Sequence, residues 1–343
     1  MRSQFFSNKQ KNMSKATIVK ELNDADILKP LSDKRAYCHI TLSNQLEALL
    51  ISDPEADKCA AAMDVHVGQF HDTVFGLAHF LGTSFSCWSE LRVSNLLYNL
   101  EHMLFLGTKK YPSESEYKEF IIKSGGGYNA YTSFESTNYH FSIVPDKFDE
   151  ALDRFAQFFI APLFNEDCVE REMKAIESEY AKNLQNDGWR KISLIKHVRK
   201  KFFMLNVWHC KQISQTAHPI ANFGIGNLET LLDEPKQKNL NMREILIEFH
   251  KKYYSANIMK LCLVGKASID HLKSIVVEKF GDIENKQVTV PNFEELPAMN
   301  PSQLGKMFKF VPVKDLRTLI LYFPLTYNLQ ENYKKKITHY LCH

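Results

Sequence analysis

Two short segments that would together spell one helical metal-binding pattern stand nineteen residues apart. Gly76-Leu-Ala-His79-Phe-Leu81 stops where Gly82–Leu100 begins, and Glu101-His102-Met-Leu-Phe-Leu-Gly-Thr108 resumes after it. Joined, the two pieces read His-Phe-Leu-Glu-His, an H-x-x-E-H arrangement. On a helix, positions i, i+3 and i+4 share a face. His at i and i+4 can therefore reach one zinc ion through ring nitrogens, with the Glu beside the metal as a base toward water. Were Gly82–Leu100 part of one continuous helix, His79 and His102 would lie about 34 Å apart along the axis and about 140° apart around it. A shared metal requires a loop that leaves the helix after Leu81 and returns before Glu101. Such a loop leaves carbonyls at the break without helical partners and costs closure entropy.

Two His and a base leave room for a further ligand. The stretch Glu166–Asn183 reads as one long helix, with Val169, Met173, Ile176 and Tyr180 as its core stripe. Glu172 and Glu179 are seven apart and so share a face two turns from each other. Taken singly, these residues have plainer readings. A lone Glu-His on a helix is usually solvated, a His in Leu-Ala-His-Phe-Leu is more often a core residue, and two Glu at this spacing read as an exposed face.

The order of several independent segments points further. Met63–Gly68, Gly76–Leu81, Glu101–Thr108, Gly125–Tyr139, Ala151–Leu163, Arg171–Arg190, Phe223–Asn227 and Tyr254–Gly265 together resemble the inverted zinc metallopeptidase (pitrilysin) family. The resemblance covers roughly residues 30–343 apart from two inserted stretches. It implies Zn²⁺, one per catalytic domain, with His79, His102 and Glu179 as ligands, Glu101 as base and Glu172 as a supporting acid. It implies peptide substrates docked as an added strand at Asn129 and Ala130, and matches Phe105 and Trp189 to positions near the cleft, where packing is the plainer role for both. Full enzymes of the family have four such domains in two halves that close around a peptide. The implied activity is that of a zinc metalloendopeptidase. The alternative is a non-catalytic, peptide-binding or partner-subunit fragment of the same family, pairing with a full-length member or with itself.

The expected fold class is α/β (α+β): a mixed, mainly antiparallel sheet packed with helices. Tyr37–Leu42, Leu46–Ser52 and Ala60–Val67 read as strands, the last apolar enough to be fully buried. Tyr111–Ser124 reads as a helix opened by a Ser113/Glu116 capping box behind Pro112. Gly125–Gly127 then suggests a close backbone approach. Helices over Asp146–Ile160, Arg243–Tyr254 and Ser268–Phe280 and a strand over Asn257–Val264 follow. Residues 1–29 read as a disordered tail, 30–285 as the metallopeptidase domain with insertions near 82–100 and 200–214, 286–305 as a proline-bearing linker, and 306–343 as the start of a second domain with strands at Met307–Val311 and Arg317–Phe323.

A net charge of +3 gives no reason to expect a nucleic-acid partner. No apolar run approaches the roughly 18 residues of a membrane span, so none is expected. Seven scattered Cys without a C-x-x-C pair read as reduced thiols of a cytoplasmic protein. The acid-free start with Arg2, Lys9, Lys11, Lys15 and Lys20 leaves a mitochondrial address as the alternative. The insert at 82–100 has no cap, repeat or acidic motif, and Trp88, Leu91, Leu96, Leu97 and Tyr98 make it apolar. It reads as translated intron sequence or the product of a faulty gene model. Transcript sequencing is expected to find a message lacking codons 82–100; a message that keeps them, with protein of matching mass, would contradict this.

Overall fold

The structure, a computed structural model, describes residues 16–72, 103–191, 226–293, 305, 307 and 309–321. Seven strands are β1 (Ile18–Leu22), β2 (Ala36–Leu42), β3 (Glu47–Ser52), β4 (Cys59–Val65), β5 (Gly127–Thr132), β6 (Thr137–Ile143) and β7 (Met259–Gly265). The five longest α-helices are α1 (Glu116–Lys123), α2 (Phe148–Ile160), α3 (Glu166–Leu184), α4 (Met242–Tyr253) and α5 (Ile269–Phe280). The strands form one sheet in the order β1-β2-β3-β7-β4-β6-β5. Every described pairing is antiparallel except β3 with β7. This is the mixed, mainly antiparallel α/β class expected from the sequence.

Alternation decides which way each strand faces. Cys38, Ile40 and Leu42 of β2, Ala61, Met63 and Val65 of β4, and Tyr139, Phe141 and Ile143 of β6 all point inward. α1, α2 and α5 pack on the sheet and share this core. Ala60, Ala62 and Asp64 are only half-buried. β4 is therefore buried on one face, not both as its apolar run suggested; small Ala side chains occupy the opposite face.

Several boundaries differ from expectation for physical reasons. β1 lies inside the stretch read as a disordered tail. It pairs with β2, and Glu21 binds Lys273 of α5 at 2.6 Å. β7 enters between β3 and β4, which adjacency in sequence would have paired directly. α1 begins at Glu116, not Tyr111, and the Ser113/Glu116 box does not form. Glu116 instead accepts from Arg154 of α2 at 2.9 Å, while the Ser115 hydroxyl donates to Glu119 at 2.7 Å. Described residues 309–311 and 317–321 form no strand, and Val311, Leu319 and Leu321 stand exposed. A strand needs a neighbour to complete its ladder, and none of the described strand pairings includes them.

The glycine reading holds at one position. After α1 the chain turns through Gly125, whose φ of 66° is left-handed. A Cβ on Gly126 would lie 2.4 Å from the Ser142 carbonyl oxygen of β6.

Behind the sheet, the Tyr139 and Tyr254 hydroxyls meet at 2.7 Å, and His250 of α4 stacks on Tyr254 with ring centroids 4.5 Å apart. Burial, reinforced by the Lys286 cation, pushes His250 down from its ordinary 6.5 to about 3. The folded value lies below the unfolded one, so unfolding takes up a proton. Stability is lost progressively as pH falls from about 6.5 toward 3. From pH 7 to pH 5 this one group is expected to remove about 2 kcal/mol. His250→Phe should reduce the pH 7 to pH 5 difference in urea unfolding by that amount; an unaltered pH dependence would contradict the assignment.

Candidate active site

α3 positions the candidate carboxylates. Its buried residues are Cys168, Val169, Met173, Ile176 and Glu179. Steps of four, three and three from Val169 keep them on one side. The expected stripe at Val169, Met173 and Ile176 is thus present, but it continues through Glu179, whereas Tyr180 is only half-buried. Glu179 is 8% exposed. An ionised carboxylate in such a place is costly unless a cation or hydrogen-bond donors compensate it. Glu172, about 10 Å back along the axis, is half-buried.

The surroundings of α3 fix its position. It packs against α4 and against the turn Met103–Phe105, whose three residues are all buried. Glu177 accepts from the backbone N–H of Leu228 at 2.8 Å, and Arg171 forms an ion pair with Glu114. Burial pushes the Cys168 thiol up to about 11, with Glu114 adding to the effect.

His79, Glu101 and His102 lie outside the described residues, as do both insertions. The structure therefore describes the carboxylate half of the candidate site. Among the described residues, no group of three or more His, Cys, Asp or Glu side chains could hold a metal ion. Two imidazoles and one carboxylate form a donor set that zinc accepts. The buried Glu179 fits the anionic member of that set, because burial is tolerable for a charge that meets a cation.

β5 is the terminal strand of the described sheet beside β6. Asn129 is exposed, and its Oδ1 accepts from the Ala130 N–H at 2.9 Å. The Ala130 side chain is fully buried, so main-chain atoms are what this position can offer a peptide. Phe105 is placed differently from the cleft position implied earlier. It is 2% exposed and packs against the rings of Tyr117, Tyr128, Tyr139 and Phe158 at centroid distances of 5.1–6.1 Å. Its apolar ring is core, where a peptide cannot reach it. Trp189 is half-buried in the short helical run 187–191 after α3, where its backbone N–H donates to Asn186 Oδ1 at 3.4 Å.

Sequence reasoning passed over Glu177 and Asp187. Nothing in the sequence sets Glu177 apart from the other acids of its helix. For Asp187 there was a signal, the turn-forming run Asn186-Asp187-Gly188.

A mixed sheet carrying helices on one face, with a long helix bearing an inward carboxylate, defines a pitrilysin-type α/β domain. The chain belongs to the insulinase peptidases, family M16. A family model described as Insulinase (Peptidase family M16) matches residues 93–202. That segment contains Glu101, His102, Glu172 and Glu179 and begins after His79. A second, described as Peptidase M16 inactive domain, matches residues 241–343. The chain is 41% identical over 319 residues to the insulin-degrading enzyme of Homo sapiens, a match that covers 92% of this chain and 28% of that one. A Schizosaccharomyces pombe relative whose name calls it a zinc protease is 40% identical over 317 residues, covering 92% and 29%. The crystal structure of pitrilysin superposes with a TM-score of 0.65 at 31% identity, covering 79% of this chain and 25% of that one. The chain thus spans less than a third of the length of these relatives. No helix among the described residues is long and apolar enough to cross a membrane.

Phe105→Ala is expected to lower unfolding free energy by about 3–5 kcal/mol in denaturant melts. A loss below about 1 kcal/mol would return Phe105 to a surface role.

Proposed function

We propose that this chain is a portion of a zinc-dependent metalloendopeptidase, with His79, His102 and Glu179 as the metal-holding residues. The observation that carries the reading is the buried carboxylate of Glu179 on a helix packed against Met103–Phe105, the turn that follows Glu101-His102 directly in sequence. Glu101 takes a proton from the attacking water and can return it to the leaving amine. Glu172 lies on the same helix and adds negative charge behind the ligand. Zinc, when bound, supplies a Lewis acid that lowers the pKa of water to about 7. Peptides lie along β5 near Asn129 and Ala130 as an added strand, a mode that takes affinity from main-chain hydrogen bonds and asks little of sequence. This fits the acceptance of varied peptides or small unfolded proteins.

A second reading is a non-catalytic, peptide-binding chain of the same family or a partner for a full-length member. The nineteen-residue separation of the two motif halves favours it, and so does the match to an inactive M16 domain.

Metal analysis separates the two. The protease reading expects about one zinc per chain and peptide cleavage abolished by chelator. Glu179→Ala should lose the zinc. Glu101→Gln should keep it and lower kcat about 10²- to 10⁴-fold. Zinc-free protein that still binds extended peptide would overturn the first reading in favour of the second.

A further inference from the structure

The turn that follows α3 makes a contact that its position in the chain does not announce. Asp187 is only 7% exposed. Its Oδ1 accepts from the backbone N–H of Val313 at 2.8 Å, and its Oδ2 accepts from the N–H of Lys314 at 3.0 Å. Arg190 Nη1 donates to the same Oδ1 at 3.0 Å. These backbone donors lower the Asp187 carboxyl below its ordinary range, with Arg190 adding to the effect. The carboxylate is held rigidly on its own side. Asn186 Oδ1 accepts from Gly188 N–H at 2.8 Å, and the Arg190 N–H donates to the Asn186 carbonyl at 2.9 Å, which opens the helical run 187–191.

On the other side, residues 309–321 form neither helix nor strand. Most of their apolar side chains face solvent, with Val311 82% and Leu319 79% exposed. Two charge-assisted hydrogen bonds from consecutive amides tie this segment to Asp187, and such bonds are stronger than neutral ones and are directional.

We propose that Asp187 is a latch that docks the segment beyond the linker onto the end of the carboxylate-bearing helix, so that the placement of the following part of the chain is set from α3. Asp187 is then a positioning residue for the chain's later region. This holds whether or not the chain cleaves peptides, because no step of it involves the metal or the base.

Amide hydrogen exchange of the full chain tests it, read on peptides spanning 309–321 and on peptides from β4 and β6. The wild-type Val313 and Lys314 amides should be protected. In Asp187→Ala their exchange should quicken about tenfold or more, with the sheet peptides unchanged. Equal rates in wild type and variant would overturn the latch. Should alanine also loosen the sheet, Asp187→Asn decides: it keeps the shape and removes one acceptor oxygen. Faster exchange at Val313 or Lys314 over an unchanged sheet then supports the latch, and unchanged exchange at both amides refutes it.

Discussion

A glutamate on the buried stripe of a helix is the constraint around which the rest of this site is arranged. Along α3 the inward positions run Val169, Met173, Ile176, Glu179. The first three contribute apolar area to the core. The fourth brings a carboxylate to the same side, a placement that is costly unless a cation or donors compensate it. The helix has to be held for this to persist, and it is held from several directions: Glu177 binds the Leu228 backbone, Arg171 pairs with Glu114, and Met103–Phe105 and α4 pack against it. The ring cluster around Phe105 anchors the turn next to Glu101-His102, so packing energy fixes one flank of the motif.

The thirty residues between Asp72 and Met103 hold both candidate histidines and the base, and their two flanks end in buried structure. His71 is buried, with its ring edge-on to Tyr253 at 5.4 Å; burial lowers its pKa to about 4. Met103 is buried on the other side. The described chain on either side of the interrupted motif is thus held in buried structure.

Where local pattern and tertiary outcome agreed, the sequence was readable. β2 and β3 show period-two alternation, α2 and α4 show clear apolar stripes, and Ser268 caps α5 by accepting from His271. What it could not show were choices made between distant parts. β7 is inserted between β3 and β4 because its residues Leu261 and Leu263 complete the core there, a decision taken some two hundred residues downstream. β1 was hidden by its charged composition and becomes a strand because β2 offers an edge and Lys273 an ion pair. Glu116 left its local box for Arg154 on another helix. At the candidate site, Glu172 and Glu179 were legible as a same-face pair, but which of them is buried was not, since a period-3.6 stripe ending in Glu or Tyr reads equally well until packing decides. Phe105 matched a cleft position by resemblance, but its plainer reading as a packing residue is the one the core shows, where four aromatic rings surround it.

In the proposed site, the inward carboxylate of α3 forms one metal centre with the two histidines separated by Gly82–Leu100. X-ray absorption at the zinc edge of the loaded full chain tests this most directly. It should show two imidazole nitrogens and carboxylate oxygen at about 2.0–2.2 Å, with the imidazole signal falling by one in His79→Ala and again in His102→Ala. A zinc shell without imidazole, or one that neither histidine substitution changes, would contradict it.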